Sequence, residues 1–146
     1  MFFTGFYEHS IDAKHRLAIP ADIRSRWSPQ VEGDSWFAVP WKKGVIRIYT
    51  ERDYMNLANS GPKTLALKDK KAEMQATMHG LTARMDIDGS GRIRLPEHLL
   101  RLYEIGTEVV LVGAGDRLEI RNRQAWLDSL EQRMADLPGL MEESGD

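Results

Sequence analysis

Two five-residue stretches place a carboxylate and a guanidinium four positions apart: Asp12-Ala13-Lys14-His15-Arg16 and Asp88-Gly89-Ser90-Gly91-Arg92. Across a tight turn, an aspartate at that spacing can pair with the arginine or accept backbone N–H groups of the turn itself. Either arrangement stiffens the loop and presents its middle residues. In the first stretch these include Lys14 and His15, whose charge and hydrogen-bond donors suit phosphate oxygens or base edges. In the second, Gly89, Ser90 and Gly91 offer backbone N–H groups and close approach.

The same residues admit other chemistries. In segment 86–97, Asp86, Asp88, Ser90, Gly91 and Glu97 fall at positions one, three, five, six and twelve of an EF-hand-type calcium loop. Against that alternative, Gly80 and an alternating segment stand where a helix should enter. Arg92 and Arg94 add positive charge inside the loop, and the first stretch lacks the ligand pattern. His9, His15, His79 and His98 form no spaced ligand set. The chain has no cysteine, which removes disulfides, thiol nucleophiles and Cys-ligated zinc together. Gly113-Ala114-Gly115 lacks the third glycine and the lysine of phosphate motifs and reads as a hairpin turn. No nucleophile elbow is visible. The chain is therefore read as non-enzymatic, with no catalytic residue, no metal and no cofactor.

Both stretches belong to an internal repeat. Residues 11–20 align without a gap to residues 87–96, so that Asp12, Arg16 and Pro20 meet Asp88, Arg92 and Pro96. Further on, Ile48 matches Ile120 and Tyr54 matches Trp126. Each copy reads as a strand, a polar turn, a short strand ending at proline and a short helix, since proline suits a first helical position. The helices are expected at 21–27 and 97–103. Hairpins follow, of strands 35–39 with 45–49 and 108–112 with 117–121, and then a closing helix. Thr50 with Asp53 and, in the second copy, Asn122 supply the caps. The expected division is a first repeat at 1–60, a linking helix at 61–78, a second repeat at 79–137 and an acidic disordered tail at 138–146. Pro138-Gly139 is expected to stop the last helix.

The formal net charge of −2 is unusual for a nucleic-acid binder, so a local basic footprint is needed. Segment 12–26 provides one, with Lys14, Arg16, Arg24 and Arg26 against Asp12 and Asp22. Lys63, Lys68, Lys70 and Lys71 read as a solvated helix face. No apolar run approaches a membrane span and the apolar N-terminus is too short for a signal core, so a cytoplasmic protein is expected.

The stretches Met1-Phe2-Phe3-Thr4-Gly5, His9-Ser10-Ile11-Asp12-Ala13-Lys14-His15-Arg16-Leu17-Ala18-Ile19-Pro20 and Asp88-Gly89-Ser90-Gly91-Arg92-Ile93 resemble the MraZ family of bacterial regulators, across nearly the full chain. The resemblance implies an α+β, mainly β fold: a duplicated AbrB-like double-ψ or swapped-hairpin barrel with short helices after each copy. It implies a homo-oligomeric ring and no membrane or small-molecule substrate. It also implies nucleoid-associated, sequence-specific binding to double-stranded DNA at short direct repeats in the promoter of its own operon, at the head of the division and cell-wall gene cluster, most simply as a repressor. In that family the paired Asp-x-x-x-Arg motifs are the surface implicated in DNA recognition. Arg16 and Lys14 are thus the first expected contacts and Arg92 the next, with Arg24 and His15 in support and Asp12 and Asp88 shaping the turns. The chain departs from the family pattern at His15, where glycine usually precedes the arginine. A protein-interaction module on an antidote-type scaffold, without DNA, is the further alternative.

Overall fold

Apolar and polar residues alternate at period two in the first strand of each copy, whereas Ser35–Pro40 and Glu108–Gly113 are near-continuous apolar runs buried on both faces. The structure, a computed structural model, describes residues 1–60 and 68–145. The first copy comprises β1 (Phe6–Ser10), β2 (Arg16–Ala18), α1 (Ala21–Arg26), α2 (Pro29–Glu32), β3 (Ser35–Pro40), β4 (Ile46–Thr50) and α3 (Glu51–Asn59). After α4 (Asp69–Leu81), the second comprises β5 (Ala83–Asp86), β6 (Arg92–Arg94), α5 (Glu97–Leu102), β7 (Glu108–Gly113), β8 (Leu118–Asn122) and α6 (Arg123–Glu143). Both expected caps form. Thr50 Oγ1 accepts from the Asp53 N–H at 3.3 Å, and Asn122 Oδ1 accepts from the Ala125 N–H at 3.0 Å. The short α2 is an element the repeat did not announce; its signal is the Ser28-Pro29 pair, with proline in the first turn.

Strand pairing exchanges the copies. β1 of the first copy pairs antiparallel with β7 of the second, and β5 of the second pairs with β3 of the first. The result is a six-stranded antiparallel sheet in the order β1-β7-β8-β4-β3-β5, a palindrome in which each strand has its repeat equivalent at the mirror position. Its centre is the β4–β8 pair, with Arg47 opposite Glu119. β2 and β6 form a separate two-stranded ribbon centred on Leu17 opposite Ile93. The expected α+β class and the exchange of first strands are both present; no barrel closes among the described residues.

One core serves both copies. Leu17 and Ile93 beneath the ribbon, Ile23 and Leu99 from the short helices, and Ile46, Ile48, Leu118 and Ile120 from the central strands are all fully buried in one cluster. Burying each such side chain contributes about 1.5–3 kcal/mol, and neither copy holds its share alone. A smaller cluster of Val39, Tyr49 and Tyr54, with Met78 packed against it, anchors α4.

Two expectations about helices are corrected. Pro138-Gly139 does not end α6, which carries Pro138 in its interior and runs to Glu143, so the segment expected to be disordered is helical to that point. Proline removes one N–H donor from the ladder, but strong helix formers on both sides (Leu137, Leu140, Met141, Glu142) sustain the remaining turns. The linking helix begins at Asp69 and extends three residues past Met78, because Thr82 is the first residue to turn extended. Its expected beginning, with Lys63 and Leu65, lies outside the described residues. Among the described residues no helix is long and apolar enough to cross a membrane.

Candidate nucleic-acid interface

Each Asp-x-x-x-Arg stretch is a three-residue loop closed by the same hydrogen bonds. The Asp12 N–H donates to the Arg16 carbonyl at 3.0 Å and the His15 N–H to the Asp12 carbonyl at 3.0 Å; Asp88, Gly91 and Arg92 repeat this at 2.9 and 3.0 Å. Such a loop needs a left-handed residue at its third position. Gly91 supplies it at φ 80, and His15 adopts it at φ 63. The carboxylates then fill the loops from within. Asp12 Oδ1 accepts from the Lys14 and Arg16 N–H groups at 2.9 and 2.8 Å, and Asp88 Oδ1 from those of Ser90 and Arg92 at 2.9 and 3.0 Å. The other oxygen takes the arginine Nε, at 2.7 Å in the first turn and 3.0 Å in the second. The backbone N–H of Arg16 is the main cause holding the Asp12 carboxyl below the usual carboxylate range, with that of Arg92 doing the same for Asp88.

The ribbon joins the two turns. Leu17 and Ile93 point into the core, so alternation turns Arg16, Ala18, Arg92 and Arg94 to the opposite face. Arg16 stands directly across from Arg94, and Arg92 across from Ala18. Arg16 and Arg92 are therefore diagonal neighbours, roughly 7–8 Å apart by ladder geometry. The turns are locked to the partner copy: the Leu95 N–H donates to the His15 carbonyl at 2.8 Å and the Ile19 N–H to the Gly91 carbonyl at 2.9 Å.

Of the expected contacts, Lys14, Arg16, Arg92 and Arg24 gather around this ribbon. Lys14 is exposed on its turn, and Arg16 and Arg92 are half-buried. Arg24 reaches across from α1: its Nε donates to the Ile19 carbonyl at 3.0 Å, and its guanidinium lies where a Cβ on Gly91 would sit, with Cζ 2.6 Å from that position. His15 is half-buried and borders Glu97, Leu100 and Arg101, so it faces the second copy's short helix. Asp12 and Asp88 do not shape the turns alone, since each motif arginine commits Nε to its aspartate. Arg94 is a member the repeat did not reveal, because its equivalent is Ala18. The signal for it is register: only the pairing of β2 with β6 puts residue 94 beside residue 16.

The calcium reading does not fit. The loop lies between two strands, and Asp88 faces N–H donors, the wrong polarity for a cation. Asp86 instead accepts from Ser35 Oγ at 3.1 Å. Among the described residues no three His, Asp or Glu side chains converge on a common point.

Comparison with known proteins bears on the same elements. Residues 78–138, which include β5, β6 and the second turn, match the family described as "MraZ protein, putative antitoxin-like". The protein named transcriptional regulator MraZ of Heliobacterium modesticaldum is 31% identical over 127 residues, covering 85% of this chain and 83% of that one. This chain belongs to the MraZ family. The MraZ proteins of Mycoplasmopsis pulmonis and Halothermothrix orenii, 29% and 28% identical, match over 99% and 98% of the chain and 98% and 99% of their own lengths. The chain's departure from the MraZ pattern at His15 leaves the first turn intact, since the histidine takes the left-handed conformation itself.

Proposed function

We propose that this MraZ-family chain is a non-enzymatic transcriptional regulator that binds double-stranded DNA through the outer face of the β2–β6 ribbon and its two flanking turns. The observation that carries the reading is the clustering of Arg16, Arg92 and Arg94 on one face of a two-stranded ribbon held rigid at both ends. A two-stranded ribbon fits the major groove, where arginine reads guanine with paired hydrogen bonds. Arg16 and Arg92 keep their terminal nitrogens for DNA while Nε is held by the aspartate, which sets the direction of the guanidinium plane. Lys14 and Arg24 serve the phosphates, His15 supports the first turn, and Asp12 and Asp88 hold loop shape. The relatives' naming as transcriptional regulators supports a promoter target.

In this reading the protein works in the cytoplasm on the nucleoid and occupies short direct repeats upstream of its own operon as a repressor. It assembles as a homo-oligomeric ring, so that several modest basic ribbons act on one DNA segment. The test is a gel shift of purified protein against the DNA immediately upstream of its gene. Arg16→Ala and Arg94→Ala each weaken that complex by about 1–3 kcal/mol without changing oligomeric state. Binding by both variants within about twofold of wild type at fixed salt removes the ribbon from the reading.

A further inference from the structure

The sheet's other face carries a second basic cluster, built on different residues. At the β4–β8 seam Glu119 is 5% exposed and is shared by three arginines. Arg121 Nη2 donates to it at 2.7 Å and Arg117 Nε at 3.1 Å, while Arg47 Nε lies 3.7 Å away. One carboxylate cannot match three guanidiniums, and Arg47 Nε, buried, finds no acceptor among the described residues. Arg133 of α6 adds a fourth cation. Its guanidinium lies 4.5 Å from the Trp126 ring centroid, with Arg121 at 5.6 Å from the same ring. Arg133 donates to Ser129 Oγ on its own helix at 2.8 Å. Asp116 offsets Arg117 alone.

This imbalance borders a cleft of about 420 Å³ lined by Lys43, Tyr103, Glu104, Arg121, Trp126 and Arg133. Its one lining carboxylate, Glu104, is exposed and paired with Lys43 at 3.3 Å. Arg121 is answered from behind the cleft by Glu119, which it must share with Arg117 and Arg47, and Arg133 has no carboxylate partner among the described residues. Partial desolvation and then the neighbouring Arg121 charge press the Arg133 pKa below the usual arginine value, with the Glu119 charge acting against them. A cleft of this size holds a ligand of nucleotide dimensions, and guanidinium forks are suited to phosphate.

We propose that this cleft is a binding site for a phosphate-bearing small molecule, with Arg133 and Arg121 as the phosphate ligands and Trp126 as the wall that orients them. The site lies across the sheet from the ribbon, and its assignment is independent of DNA binding. It gives the protein a second ligand class and a place for an effector to act on the seam between the copies, because a phosphate drawn to Arg121 competes with Glu119.

The test is isothermal titration of the full chain with pyrophosphate and, separately, with ADP at fixed ionic strength. Saturable heat is expected. Equal affinity for the two probes marks recognition of phosphate alone, and tighter binding of ADP marks a cleft that also seats the base. Arg133 is exposed on α6, so Arg133→Gln keeps the fold; it weakens binding about tenfold or more, as the loss of one charge-assisted hydrogen bond requires. Arg94→Ala, on the ribbon, leaves the heats unchanged. No saturable heat with either probe, full affinity in Arg133→Gln, or loss in Arg94→Ala overturns the proposal.

Discussion

At the third position of each turn, His15 and Gly91 hold the same left-handed backbone for different neighbours. A β-carbon costs roughly 1–2 kcal/mol in that conformation. At Gly91 it also meets the Arg24 guanidinium. Gly91→Ala is therefore expected to lower stability by about 1–2 kcal/mol in chemical denaturation, while His15→Gly leaves the fold intact. The aspartates make a pH statement. Their folded-state pKa values lie below the unfolded ones, so their contribution is complete above about pH 4 and is lost as the pH falls through the depressed values. In an acid titration followed by thermal melting, Asp12→Asn with Asp88→Asn flattens that limb of the stability curve; an unchanged limb means the turns are held by something else. These turns were legible in the chain because the aspartate, the left-handed residue and the arginine are all local. Arg94 was not: its neighbour Arg16 is 78 positions earlier, and only strand register brings them together.

The seam element joins β4 to β8 through an ion cluster rather than through apolar contact on its outer face. For Glu119, burial pushes the carboxyl pKa up, but the hydrogen bonds and charges of Arg121 and Arg117 pull it further down. The net value is low, and the charge persists. Glu119→Gln leaves three guanidiniums around a neutral amide and is expected to destabilise the protein by on the order of 3 kcal/mol, as breaking a buried ion cluster does; urea denaturation measures it. A loss under about 0.5 kcal/mol would mean the arginines relax into solvent. Individual strands, short helices and both caps were readable from alternation, proline and Thr50 or Asn122. Their partners were not, since a period-two pattern gives a strand its face without saying which strand it pairs with. The end of α6 is hidden from a local reading for a related reason: the cost of Pro138 is offset by the helix formers beyond it.

Across the whole molecule, the net charge of −2 is distributed so that the ribbon is basic while the end of α6 carries Asp136, Glu142 and Glu143. If the ribbon grips DNA as proposed, binding weakens with salt at a log-log slope of about one unit per phosphate neutralised. Arg16→Ala reduces that slope, and a flat response in gel shifts from low to physiological salt points to a protein partner instead. The exchange of first strands has a further consequence. A free dimer of a single repeat would be strictly twofold symmetric and would read a palindrome equally from either end. Here the covalent link lets the two halves differ, with Lys14 and His15 on one turn, Ser90 and Gly91 at the equivalent places on the other, and Ala18 standing in the first copy where the second has Arg94. A duplex lying on this ribbon as proposed would meet a different turn at each end, giving each bound site a direction and letting successive sites be laid head to tail.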